Sequence, residues 1–185
     1  MSGKFFMAFI FVIMLATQIK FCQAMPYSEM YLGGLTVGST VDEMKKIYGL
    51  PNSTQETVKN IEVGYYGKDV RIAYSNRYTN RIYSVTVSAN NGWKTPSGLA
   101  VSDNISKALN LYDKPDDTKS NDFKTAYCYF HHNYDDSQKK EVIDSGFLII
   151  FDKDSEKILE MKICGDTPLG KFAEFYKDMM IQMIE

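Results

Sequence analysis

GLTVGSTVDEMKKIYGLPNS, residues 34–53, and GLAVSDNISKALNLYDKPDD, residues 98–117, align without a gap at a constant offset of 64. Gly34 falls on Gly98, Leu35 on Leu99, Val37 on Val101, Val41 on Ile105, Ile47 on Leu111, Tyr48 on Tyr112 and Pro51 on Pro115. Shared apolar spacing and shared punctuation predict one module written twice. With 12 extra residues allowed in the second copy, Arg81, Ile82, Val85 and Val87 fall on Lys157, Ile158, Met161 and Ile163, and the turn at Asn76 falls on Asp152. The extra residues read as a polar, solvated loop from His132 to Asp144.

Each copy opens with a short helix. Thr40 and Glu43 stand at the spacing of a capping box, and Gly49 and Pro51 end the segment. In the second copy Asn104 takes the cap, and Ile105, Ala108, Leu109 and Tyr112 form the apolar stripe. Strands are expected at 61–66, 70–75 and 81–88, then at 125–131, 146–151 and 157–164.

Alternation puts Tyr83, Val85 and Val87 on the face that meets the first helix, with Leu159, Met161 and Ile163 equivalent. The opposite face is expected to hold Glu62, Tyr66, Arg71, Ser75, Ser84 and Thr86 in copy one, and Phe130, Phe147, Ile149 and Phe151 in copy two. The fold class is thus α+β: two tandem repeats, each a short helix on a three- or four-stranded antiparallel sheet, plus a C-terminal helix. Thr167 and Pro168 open that last helix, and Leu169, Phe172, Phe175, Tyr176, Met179 and Met183 line it.

Residues 1–24 have the parts of a secretory signal: Lys4, an apolar run from Phe5 to Ala16, and an ending of Cys22, Gln23 and Ala24. The apolar run is about 12 residues, short of the roughly 20 that span a bilayer, so a permanent membrane anchor is not expected. The organisation is then 1–24 signal peptide, 25–33 N-terminal segment, 34–93 first module, 94–164 second module and 165–185 C-terminal helix. The expected location is periplasmic or secreted.

The 21 Lys and Arg residues against 23 Asp and Glu give a net charge of −2, and removing Lys4 and Lys20 leaves 19 against 23, or −4. No basic stripe suits a phosphate backbone, so nucleic acid is not expected as a partner.

The Gly-Leu-Thr opening at Gly34 to Thr36, the capped helix with Val41, and the Gly49 and Pro51 ending resemble the β-lactamase inhibitory protein-like superfamily, with SmpA/OmlA-type outer-membrane lipoproteins among its members. The resemblance covers residues 34–164; Ala100 and Asp113 depart from it in the second copy. It implies a noncatalytic, extracytoplasmic module that binds another protein.

No nucleophile elbow, HExxH, CxxC or phosphate loop occurs, and no cofactor or metal is expected. Candidate binding residues are Tyr66, Arg71, Trp93, Phe130 and Phe147, aromatic anchors with one cation. Trp93, the only tryptophan, is expected at the junction of the modules. The alternative is a small hydrolase or metal-dependent enzyme built on the insertion, with His131, His132, Asp135, Asp136 and Asp144.

Cys128 and Cys164 remain after cleavage as a candidate disulfide. Strand alternation puts them on one face, which favours the bond, whereas a simple meander sets the first and third strands about 10 Å apart, which opposes it.

Overall fold

The computed structural model describes residues 25–58, 60–77, 79–168 and 170–185. The signal-peptide reading and Leu169 fall outside these residues. The architecture is α+β, with antiparallel strands throughout and a C-terminal helix.

The chain enters through a 3-10 turn, Tyr27–Glu29, and a two-stranded hairpin, β1 Tyr31–Leu32 and β2 Leu35–Thr36. Helix α1, Val41–Tyr48, follows, with the capping box closed in both directions between Thr40 and Glu43. Four strands succeed it: β3 Ser53–Val58, β4 Ile61–Tyr66, β5 Val70–Ser75 and β6 Arg81–Val87. The second half repeats this order with α2 Ile105–Tyr112, capped by Asn104, then β7 Asp117–Ser120, β8 Lys124–Asp135, β9 Lys140–Asp152 and β10 Ile158–Gly165. Helix α3, Phe172–Ile184, ends the chain.

All eight strands from β3 onward lie in one sheet, in the order β3-β4-β5-β6-β10-β9-β8-β7. The halves therefore do not carry separate sheets; β6 and β10 pair antiparallel and join them. Val87 pairs with Met161 and Val85 with Ile163, which places Thr86 opposite Lys162 within the join.

Corresponding contacts recur on either side of it. Val41 N–H donates to Asn80 O at 3.2 Å, as Ile105 N–H donates to Glu156 O at 2.9 Å. Each last strand also carries one extra residue, Tyr83 in β6 and Leu159 in β10. These bulges correct the expected facing: Tyr83 and Leu159 drop out of the helix-facing row, and Ile82 and Ile158 enter it.

The main core lies on the sheet face covered by α1 and α2. Val41, Met44, Ile105 and Ala108 pack there on Ile72, Val85, Val87, Ile149, Met161 and Ile163. Met30, Leu32 and Leu35 of the N-terminal segment complete it.

The polar stretch 132–144 is not a loop. His132 to Asp135 pair with Lys140 to Ile143, so β8 and β9 extend as a hairpin past the core. None of residues 132–144 is fully buried, so little there imposes alternating hydrophobicity and the strand character is hidden from the pattern. The C-terminal helix also starts later than Thr167: Lys171 is its N-cap residue, and Asp166 accepts the Phe172 N–H at 2.8 Å.

Candidate binding surface

The second face of the sheet is covered over one half only. There Ala126, Cys128, Phe130, Leu148, Ile150 and Cys164 form an apolar floor, and α3 presses Phe172, Tyr176, Met180 and Ile184 onto it. Phe130 meets Tyr176 edge-on at 4.9 Å between ring centroids. A Cβ on Gly146 would stand 2.3 Å from Phe172 Cζ, so the absence of a side chain there lets the first turn of α3 seat.

Cys128 and Cys164 are both unbonded and buried in this layer. Their strands, β8 and β10, are separated by β9, which is the meander spacing that opposes a bridge. Burial pushes the Cys164 thiol up to about 12 and the Cys128 thiol well above its ordinary range.

Among the described residues no helix covers the corresponding half-face over β4, β5 and β6. Register identifies the counterparts: Val63, Tyr65, Arg71 and Ala73 stand where Ala126, Cys128, Leu148 and Ile150 stand in the other half. Between this floor and the flank of α3 runs a groove of about 530 Å³. Val63, Tyr65, Arg71 and Thr86 line one side, Met179 and Met183 the other, and Lys124, Glu160 and Lys162 lie between.

Arg71 Nη2 donates to Glu160 Oε2 at 2.6 Å. Glu160 is the more enclosed partner, its side chain 19% exposed against 45% for Arg71. Desolvation raises the Glu160 pKa, against the opposing pull of Arg71, Lys162 and Lys124. The surrounding cations thus offset part of the cost of enclosing the carboxylate, and a guanidinium has more donors than this one contact uses.

The five residues singled out from the sequence lie in separate places. Arg71 is in the groove, while Phe130 is sealed beneath α3. Phe147, with Ile149 and Phe151, is in the main core on the other face, a correction to the expected exposed apolar strand face. Tyr66 also packs on that core, edge-on to Tyr48 at 6.0 Å, so Tyr66 and Arg71 do not share a surface.

Trp93 stacks on Tyr48 at 4.4 Å and occupies the space where Gly33 lacks a side chain. It therefore lies between the N-terminal hairpin and the end of α1. Tyr65, Glu160, Lys124 and Lys162 were not singled out. The alternation of β4, taken one residue over, points to Tyr65, whereas the other three lie on β8 and β10 and come to the groove only through the strand order of the sheet.

The alternative site in the insertion is not gathered either. His131 Nδ1 donates to Met25 O at 3.0 Å, and His132 lies 4.0 Å from Glu141. Among the described residues no group of three or more His, Cys, Asp or Glu side chains is placed to hold a metal. At the β9–β10 turn, Ser155 N–H and hydroxyl both donate to Asp152, holding its carboxyl below the ordinary range. Among the same residues no helix is long and apolar enough to cross a membrane.

No protein family and no curated protein matches the chain. Three solved structures are similar in outline. An extracellular protein containing an SCP domain from Bacillus anthracis str. Ames aligns with 70% of this chain and 44% of its own, at 11% identity and a TM-score of 0.49. A cysteine-rich secretory protein from Staphylococcus aureus subsp. aureus Mu50 aligns over the same shares, at 17% identity and 0.45. A DUF4309 family protein from Bacillus subtilis subsp. subtilis str. 168 aligns with 77% of this chain and 88% of its own, at 12% identity and 0.41. The chain spans less than half of the first two, and with every TM-score below one half these similarities carry no role over to this protein.

Proposed function

We propose that the protein is exported with loss of residues 1–24 and works, as a duplicated and noncatalytic module, by binding another extracytoplasmic protein. The periplasm or the extracellular medium is its place of action. One observation carries the reading: of two corresponding half-faces, one is sealed by α3 and the other stays open, with Arg71 and Tyr65 beside the methionine-bearing flank of that helix. Arginine and tyrosine on a rigid strand floor are the anchor types that dominate protein interfaces. The resemblance to the β-lactamase inhibitory protein-like superfamily supports the same class of role.

The test is capture from the native extracellular or envelope fraction on immobilised mature protein, alongside Arg71→Glu and Tyr65→Ala variants. A partner retained by the wild type and lost by both variants is the expected result. Equal retention by all three removes the groove from the interface. Edman sequencing of the exported protein should begin at Met25, and an uncleaved chain would overturn the export step.

A further inference from the structure

The eight-stranded sheet has two edges, and they are treated differently. Edge strand β7 is four residues long and contains Lys119. It is tied to α3, where Tyr176 hydroxyl donates to Asp117 at 3.3 Å and Asn121 donates to Ile184 O. Short length, a lysine and a covering helix are the usual means of keeping a sheet edge from recruiting another strand.

Edge strand β3 has six residues, STQETV, with no Lys, Arg or Pro. Ser53 to Glu56 pair with β4 in unbroken register, and Ser53 to Thr57 are exposed. The one irregularity lies beyond Glu56.

We infer that β3 is a strand-addition site that takes an extended segment of another protein carrying a Lys or Arg in register with Glu56. An added strand bonds to the outward backbone groups of β3, and its alternate side chains meet the two rows already present. On one row Glu56 stands directly opposite Glu62, a like-charge pair that disfavours itself.

Glu62 is hydrogen-bonded to Tyr74, Glu56 accepts the Asn60 N–H, and among the described residues neither carboxylate forms an ion pair. A cation arriving beside Glu56 would answer both. A second copy of β3 would bring none, because the strand contains no basic residue. The edge lies apart from Arg71, so failure here leaves the groove reading standing.

The experiment uses 15N-labelled residues 25–185 and two short probes, acetyl-TVTKTVT-amide and its counterpart with Glu for Lys. The Lys probe should bind about fivefold or more tightly than the Glu probe and slow amide exchange at alternate positions of Ser53 to Glu56. Glu56→Lys should reverse the preference, and Glu62→Gln should weaken it. Equal binding of the two probes, or binding without protection in β3, overturns the proposal. Protection of β3 that grows with protein concentration in the absence of peptide also overturns it, and assigns the edge to a second copy.

Discussion

Leu148 and Arg71 occupy corresponding places on two corresponding half-faces, yet one lies under a helix and the other opens to solvent. The same contrast holds for Ile150 against Ala73 and for Cys128 against Tyr65. A sheet face needs enough apolar area to hold a helix, and only the β8 and β9 side supplies it. Where the floor is polar, α3 leaves a rim instead of a seal, and that rim is the groove. One half of the sheet face is thus packed and the other presents a surface, through a handful of side chains.

Four measurements would break or sharpen this contrast. The largest effect is expected where α3 is anchored. Phe172→Ala should cost about 3–5 kcal/mol, and Gly146→Ala, which drives a methyl into the Phe172 ring, about 1–3 kcal/mol. Both are read from urea unfolding. Small losses in both would mean that α3 does not seal its half.

Next come the helix caps, the feature in which the halves should agree. Thr40→Ala and Asn104→Ala should each cost about 1 kcal/mol, and a large inequality would show that the two helices do not bear equivalent loads.

The buried thiols give a smaller, pH-dependent difference. Cys164 has an ordinary value of 9.0 and is pushed up to about 12 in the fold. A raised folded pKa gives stability that is complete below the unfolded value and is lost as pH rises through the folded one. Unfolding free energy should therefore decline across that alkaline window, and the decline should be shallower in Cys164→Ala. Both thiols should resist alkylation at neutral pH until the protein unfolds.

The smallest effect belongs to the presenting half. Arg71→Met removes an ion pair whose cation is 45% exposed and should cost under about 1 kcal/mol. NMR titration should nevertheless find Glu160 shifted further up, because its strongest opposing charge has gone. An unchanged Glu160 would show that Lys124 and Lys162 hold it without Arg71.

The helices were legible in the sequence because they rest on local chemistry. The Thr40 and Glu43 box and the Asn104 cap act over a few residues and appear as expected. The faces were legible only in part: Val85, Val87, Met161 and Ile163 meet the helices as expected, but strands alternate with a period of two and a slip of one residue inverts the rest. Tyr66 corresponds to Tyr129 and Val70 to Phe147, so the offset between halves changes from strand to strand. One 12-residue gap could not represent that, and Phe147, Ile149 and Phe151 went to the wrong side.

Strands β3 and β7 escaped notice for another reason. STQETV and DTKS are polar edges with little to bury, so they give no hydrophobic period. Within the site, Arg71 was found from its own strand, whereas Glu160 and the methionines of α3 required knowing which elements meet.

The join between β6 and β10 has a consequence for the order in which the sheet is completed. The first meander is finished at Val87, but the strand that flanks it begins at Ile158. A chain leaving the ribosome or a translocation pore N-terminus first holds β6 as an open edge until almost the whole protein has followed. During that interval one of the mature sheet's two central strands is an open edge, and an incoming chain of the same kind could pair with it.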